Sequence, residues 1–184
     1  MKVNICYKKI IFFSLCLFLS SFLFSEEALP FGYAKIKLGM SVDEVKQALK
    51  DDLQFGYRGD RDVSLLPGAN RVLIETDATS NGYSFLDRCW FQFYNGKLYI
   101  ITINMSQQKM DHYSVFDKLC KKYGNPKSLD PEKSTWQNDS VIMSLEKPLT
   151  LKYTDKVVFD KLQEESHANK SVADMSRENF LEGL

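Results

Sequence analysis

The chain has 184 residues, with 24 Lys and Arg against 24 Asp and Glu, and 44% of the residues are hydrophobic. This composition is typical of a globular protein and excludes an intrinsically disordered chain, a fibrous protein and a coiled coil. Because there is no basic surplus, the chain is not expected to bind nucleic acid independently of sequence.

Residues 1–25 have the pattern of a secretory signal peptide. Three lysines give the segment a positive start, and residues 10–24 carry no charge. Fifteen residues of helix span only about 22 Å, less than the roughly 30 Å core of a bilayer, so a membrane anchor is the weaker interpretation. We therefore predict export with cleavage after Ser25, and a mature chain without a transmembrane span.

Cys16 raises the question of lipidation, since bacterial lipoproteins are modified on a cysteine of the leader. Leu15 precedes it instead of a small residue, so lipidation is the weaker alternative. Removal of residues 1–25 takes away three lysines and no acids, which leaves 21 basic and 24 acidic residues, a net charge of −3. This mild acidity disfavours nucleic acid and anionic lipid as partners.

Cys89 and Cys120 are the two cysteines of the predicted mature chain. In an exported protein such a pair is compatible with a disulfide, which would close a loop of roughly thirty residues and contribute about 3–4 kcal/mol. Two reduced cysteines that pack as small hydrophobic side chains are the equally weighted alternative. Neither arrangement supplies enough ligands for a zinc site.

The first element with a clear start signal is a helix that begins after Ser41. Ser41 is a good N-cap, and Glu44 at the third helical position completes a capping box. Met40, before the cap, can pack on Val45 as a hydrophobic staple. The apolar stripe that follows predicts a helix that ends near Lys50.

The strongest local signal is Asn95-Gly96 between two alternating runs of apolar and polar residues. Asn-Gly favours a type I′ turn, because both central residues then have positive φ, and so predicts a two-residue hairpin. In this register Phe91 pairs with Ile100. The predicted core face carries Cys89, Phe91, Phe93, Leu98 and Ile100. The opposite face carries Trp90, Gln92, Tyr94, Lys97, Tyr99 and Ile101.

A second helix is predicted after Asp111, with the same kind of start as the first. Met110 and Val115 repeat the staple geometry, while Gly124 and Pro126 mark the end of the helix.

Each helix leads into antiparallel strands, so the chain contains two related units of about residues 37–105 and 107–154. In the second unit Asn138-Asp139 predicts another hairpin, and a polar, helical tail covers residues 155–184. Two such units can share one antiparallel sheet with the helices packed on one face. We therefore predict an α+β fold, in a single domain over residues 26–184.

Two stretches resemble the SmpA/OmlA (BamE-like) domain. Residues 38–49 look like the helix opening of that family, and Gly124-Asn125-Pro126 followed by Trp136 is similar to its Gly-x-Pro and tryptophan strand. The tandem form is similar to β-lactamase inhibitor protein, whose two repeats share one sheet. The resemblance implies an α+β fold and a role in binding or assembling envelope proteins. The chain also looks like exported proteins of spirochaete type that carry no assigned activity.

The sequence is poor in catalytic motifs. Its two histidines, His112 and His167, lie beside no Ser, Cys or acid pattern of a triad, and HExxH, P-loop and GxGxxG motifs are absent. We expect no cofactor and no metal site. An exported enzyme with an unrecognised carboxylate or cysteine site is the alternative, in which loss of Cys120 would abolish activity.

Arg58-Gly59-Asp60 spells the tripeptide that integrins bind, which makes a host-binding adhesin a further alternative. The other interpretation is a solvated turn in which Arg and Asp side chains pair locally, with little gain in stability.

Trp90, Tyr94 and Tyr99 are the best candidates for recognition, because they combine apolar area with polar tips, as binding hot spots do. The alternative is that a helix or the chain's own tail covers this face. We expect a non-enzymatic exported protein that binds another envelope or secreted protein through its sheet. Its expected location is the periplasm or cell envelope, rather than the cell surface or the medium.

Overall fold

A computed structural model describes residues 28–66 and 70–182, so the predicted leader and Cys16 lie outside the described residues. The helices are α1 (Val42–Asp51), α2 (His112–Tyr123) and α3 (Lys156–Glu182). Two 3₁₀ turns, Leu53–Phe55 and Asp60–Asp62, follow α1. None of the helices in the described ranges combines the length and the hydropathy that a membrane crossing requires.

The main element is one antiparallel sheet of eight strands, preceded by a short two-stranded hairpin. The hairpin consists of β1 (Gly32–Tyr33) and β2 (Ile36–Lys37). The strands of the sheet are β3 (Val63–Leu65), β4 (Arg71–Asp77), β5 (Leu86–Tyr94), β6 (Lys97–Met105), β7 (Ser128–Leu129), β8 (Lys133–Gln137), β9 (Val141–Glu146) and β10 (Thr150–Asp155). The predicted α+β fold is confirmed.

The order of the strands reflects the two predicted units. Across the sheet the order is β3-β4-β5-β6-β10-β9-β8-β7, so the first unit forms one half and the second unit the other. The two halves meet where their last strands pair, with Ile101 of β6 opposite Tyr153 of β10. Each half therefore consists of a helix followed by an antiparallel meander, joined edge to edge.

The two unit helices begin as their sequences predict. In α1 the Ser41 hydroxyl accepts the Glu44 N–H at 3.3 Å, and the Glu44 carboxylate accepts the Ser41 N–H at 2.7 Å, which completes the capping box. In α2 the Asp111 carboxylate accepts the Ser114 N–H at 2.9 Å, and Gly124 follows the last turn. The caps satisfy backbone donors that would otherwise lack a partner.

The core lies between α1, α2 and one face of the sheet, which we call the inner face. Val45 and Leu49 of α1 and Leu119 of α2 belong to one buried cluster with the inner-face side chains. Trp136 of β8 is part of it, and its indole N–H donates to the Gly124 carbonyl at 2.8 Å. The largest inner-face side chains of the cluster are Ile74, Phe91, Phe93, Leu98, Ile101, Ile103, Met143, Leu145, Leu151 and Tyr153.

The predicted register of the central hairpin is correct near the turn and wrong beyond it. Phe93 pairs with Leu98, but Gln92 pairs with Ile100, so Tyr99 is the extra residue of a β-bulge. The bulge shifts the later residues of β6 by one position and exchanges their faces. Ile101, at 0% exposure, therefore lies in the core, and Ile100 lies on the opposite face.

Candidate functional site

The candidate site is the side of the sheet that faces away from α1 and α2, which we call the outer face. Residues that pair directly across antiparallel strands share a face, so the strand pairs define the site as two rows. The first row is Glu75, Trp90, Thr102, Lys152, Ser144 and Thr135. The second row is Leu73, Gln92, Ile100, Thr154, Ile142 and Gln137.

The three predicted recognition aromatics lie on this face, and two of them, Tyr94 and Tyr99, are in contact. Trp90 and Tyr94 are half-buried, so part of each ring is open to solvent. Tyr99 is only 7% exposed, and its ring packs edge to face on Tyr94 with centroids 6.4 Å apart. Its hydroxyl donates to Gln92 at 3.4 Å. Tyr99 therefore supports Tyr94 and offers little contact surface of its own.

Most charges of the outer face are paired at its margins. Arg88 lies 3.8 Å from Glu75 and 3.5 Å from Asp77, and Lys133 lies 3.3 Å from Glu146. Burial alone would raise the pKa of Glu146, but the Ser144 hydroxyl and the Lys133 ammonium outweigh burial and hold that pKa below its usual range. Arg88 and Lys133 are therefore neutralised within the chain.

Lys152 differs from these marginal charges, because it lies in the middle of the sheet. It lies on β10 between Thr102 of β6 and Ser144 of β9, and it is two strands away from Trp90 of β5 in the same row. In the described part of the chain no carboxylate lies within ion-pairing distance of it, and Glu146 acts on it only at longer range. The outer face therefore combines the partly open indole of Trp90 with Lys152, a partly buried residue that forms no ion pair with a described carboxylate.

Arg58 and Asp60 lie far from these aromatics in the chain and belong to a separate turn. The Arg58 guanidinium contacts Asp62 at 3.0 Å, and Asp62 is 5% exposed and also accepts the Arg58 backbone N–H. Asp60 is exposed and lies 3.2 Å from Lys46. The Arg58 side chain is thus tied to a buried carboxylate, in line with the interpretation as a locally paired turn.

Cys89 and Cys120, the two cysteines among the described residues, are free thiols in the structure and form no disulfide. Cys89 is buried, and burial raises the pKa of its thiol to about 12. Cys120 is partly exposed, and burial again raises its pKa, with a further contribution from Asp117. Both groups are therefore held in the protonated form, which is the poorly nucleophilic one.

The structure also shows an apolar tip that the sequence pattern did not indicate. Leu53 is 83% exposed and Tyr83 is 95% exposed. The Asn81 side chain donates to the Leu53 carbonyl at 3.1 Å, and the Lys109 ammonium donates to the Gly82 carbonyl at 2.7 Å, so both segments are held in place. A glycine-flanked tyrosine in a polar loop is the only sequence signal for this tip.

Among the residues that the structure describes, no three His, Cys, Asp or Glu side chains lie close enough together to hold a metal ion.

Comparison with known proteins places the whole two-unit fold in one family. The model of the TP0088 domain, a family with a spirochaete name, matches residues 31–165, from the start of β1 into α3. The match agrees with the resemblance to spirochaete-type proteins, and it does not identify a BamE-like domain. No curated protein and no solved structure matches the chain.

Proposed function

We propose that the chain, which belongs to the TP0088 domain family, is an exported, non-enzymatic protein of the cell envelope that binds another protein through the outer face of its sheet. Export is inferred from the leader pattern of residues 1–25, and the acidic balance of the remaining chain favours a protein partner over nucleic acid or anionic lipid.

The observation that carries the proposal is the contrast between the two faces of β5. Phe91 and Phe93 on the inner face are 0% exposed, whereas Trp90 and Tyr94 on the outer face keep part of their surface open. Aromatic side chains with a polar tip are enriched in binding hot spots, because they bury a large area at a low cost in side-chain entropy. The sheet holds these side chains in one arrangement before a partner binds, which lowers the entropy cost of association.

The alternatives find less support in the geometry. A cysteine enzyme needs a thiolate, and burial holds both Cys89 and Cys120 in the thiol form. Adhesion through residues 58–60 needs a guanidinium that is free to reach a partner, and Arg58 is engaged by Asp62 at 3.0 Å.

The proposal is tested by crosslinking tagged protein in its native envelope and identifying what is captured. The test variant carries Trp90→Ala and Tyr94→Ala, which remove both open aromatic rings of the outer face. The matched control is Tyr113→Ala on α2, because Tyr113 is 74% exposed and lies outside the sheet.

The proposal expects one defined envelope protein, captured by the wild type and by the Tyr113→Ala control and lost from the double variant. Capture that survives in the double variant would contradict it. Far-UV circular dichroism of both variants verifies that a lost capture does not reflect unfolding.

A further inference from the structure

The last helix leaves the body of the molecule after its first turns. The Asp155 carboxylate caps α3 by accepting the Val158 N–H at 3.1 Å, and α3 contacts β9 and β10. Val158, Phe159 and Leu162 are partly buried, but every described side chain from Gln163 onward is exposed. We call residues 163–182 the projecting part of α3. Most of the stability of helices in proteins comes from tertiary packing, which the exposed side chains of this part do not provide within one copy of the chain.

The projecting part is acidic and carries exposed apolar side chains near its end. Within residues 163–182 there are five Asp and Glu against two Lys and Arg. Met175, Phe180 and Leu181 are 64%, 68% and 53% exposed. Such a segment suits a surface that offers apolar area together with positive charge.

The outer face offers that combination. Trp90 and Tyr94 supply open aromatic area, while Lys152 at its centre and Arg71 at its margin have no ion-pairing carboxylate among the described residues. The dimensions also match. Twenty residues of helix span about 30 Å, and the nine residues of β5 span about 30 Å.

We propose that the partner on the outer face is a second copy of this chain, and that the projecting part of each α3 lies across the outer face of the other copy. The inference rests on the proposed function, because it takes the outer face as a binding surface and names its occupant. The arrangement is a two-fold, reciprocal exchange in which both contacts are identical and no open-ended assembly results.

The area of such an exchange is sufficient for a stable dimer. A helix about 30 Å long and about 10 Å wide has a footprint of roughly 300 Å². Counted on both partners and in both contacts, the exchange buries about 1,200 Å², which is the lower end of specific protein–protein interfaces.

The test is the mass of the protein, expressed from its complete gene and purified from the envelope, measured by analytical ultracentrifugation over a range of concentrations. The face variant carries Lys152→Glu, which places a like charge opposite the acidic helix. The helix variant carries Phe180→Asp and Leu181→Asp in an exposed segment, so the fold of the body is not affected. Lys118→Glu on the exposed side of α2 is the charge-matched control.

We expect the wild type and the Lys118→Glu control to be dimers, and the face and helix variants each to dissociate with a dimer Kd raised about tenfold or more, as expected for a loss of roughly 1.4 kcal/mol or more. A mixture of the two variants restores association, because one intact helix meets one intact face. Variants that stay monomeric when mixed would overturn the exchange. A helix–helix or a face–face dimer would also contradict it, because in either case only one of the two variants would dissociate on its own.

The outcomes separate this inference from the proposed function. A wild type that is monomeric at all concentrations refutes the exchange, yet the capture of a different envelope protein through Trp90 and Tyr94 would still support the outer face as a binding surface. A dimer that persists in the face variant refutes the exchange and leaves the proposed function to be judged by the capture experiment.

Discussion

The second unit depends on Trp136, and the structure allows the contributions of its ring and of its hydrogen bond to be separated. The side chain is 2% exposed and packs against Phe116 with ring centroids 6.1 Å apart, while its N–H donates to the Gly124 carbonyl at the end of α2. Trp136→Ala removes the ring and leaves a cavity, which costs about 3–5 kcal/mol in cores. Trp136→Phe keeps most of the ring and loses the hydrogen bond, which costs about 1–2 kcal/mol.

The assay is urea unfolding followed by far-UV circular dichroism, with the free energy of unfolding obtained by linear extrapolation. Trp90→Ala is the matched comparison, because the Trp90 indole is half-buried on the outer face. Loss of a half-buried aromatic ring should lower the free energy of unfolding by about 1–1.5 kcal/mol. If Trp90→Ala destabilised the protein as much as Trp136→Ala, Trp90 would be a core residue, and its assignment to a binding surface would be refuted. A Trp136→Phe variant as stable as the wild type would show that the bond to Gly124 contributes nothing.

Three further predictions concern the two thiols, the loss of stability at low pH and the turn at Gly56. In the native protein we expect Cys89 to resist alkylation and Cys120 to react slowly, because burial raises the pKa of both thiols, whereas both should react after unfolding in urea. Peptide mapping by mass spectrometry measures the labelling of each cysteine. Rapid labelling of Cys89 in the native protein would contradict its burial. Hydrogen bonds from the Ser114 side chain and backbone hold the pKa of Asp111 below its ordinary value of 3.8. The unfolded chain therefore binds the proton more readily, so the free energy of unfolding falls as the pH drops below that value. Asp111→Asn retains an N-cap but does not titrate, so its free energy of unfolding, measured by urea unfolding at each pH, should fall less at low pH than that of the wild type. Gly56 has φ of +64°, and an added Cβ would lie 2.4 Å from a backbone carbonyl oxygen, so Gly56→Ala should lower the thermal midpoint by a shift that corresponds to about 1–3 kcal/mol, whereas an unchanged midpoint would show that the turn relaxes.

The parts of the fold that the sequence predicts are those decided by neighbouring residues. The caps at Ser41 and Asp111 involve partners only three positions away, and the Asn95-Gly96 turn depends on two residues. The bulge at Tyr99 cannot be predicted from the alternation, because its position depends on how β6 pairs with both β5 and β10, which lies about fifty residues later in the chain. Alternation alone therefore predicts the wrong faces for Ile100 and Ile101.

The candidate site was predictable in part for the same reason. Alternation along β5 correctly placed Trp90 and Tyr94 on one face, since no irregularity interrupts that stretch. The central position of Lys152 could not be predicted, because it arises from the pairing of the last strands of the two units. The exposure of Leu53 also depends on a tertiary contact, with the loop that contains Asn81.

The most direct test of the central claim, that the outer face is the binding surface, is a map of contacts by photocrosslinking in the native envelope. A benzoylphenylalanine residue is introduced in place of Gln92 or Thr102 on the outer face, or in place of Lys118 on the exposed side of α2. The proposal predicts crosslinks to a protein, whether a second copy of the chain or another envelope component, from positions 92 and 102 and none from position 118. The proposal would be contradicted if position 118 formed crosslinks as well as positions 92 and 102 do, or if crosslinks formed only at position 118.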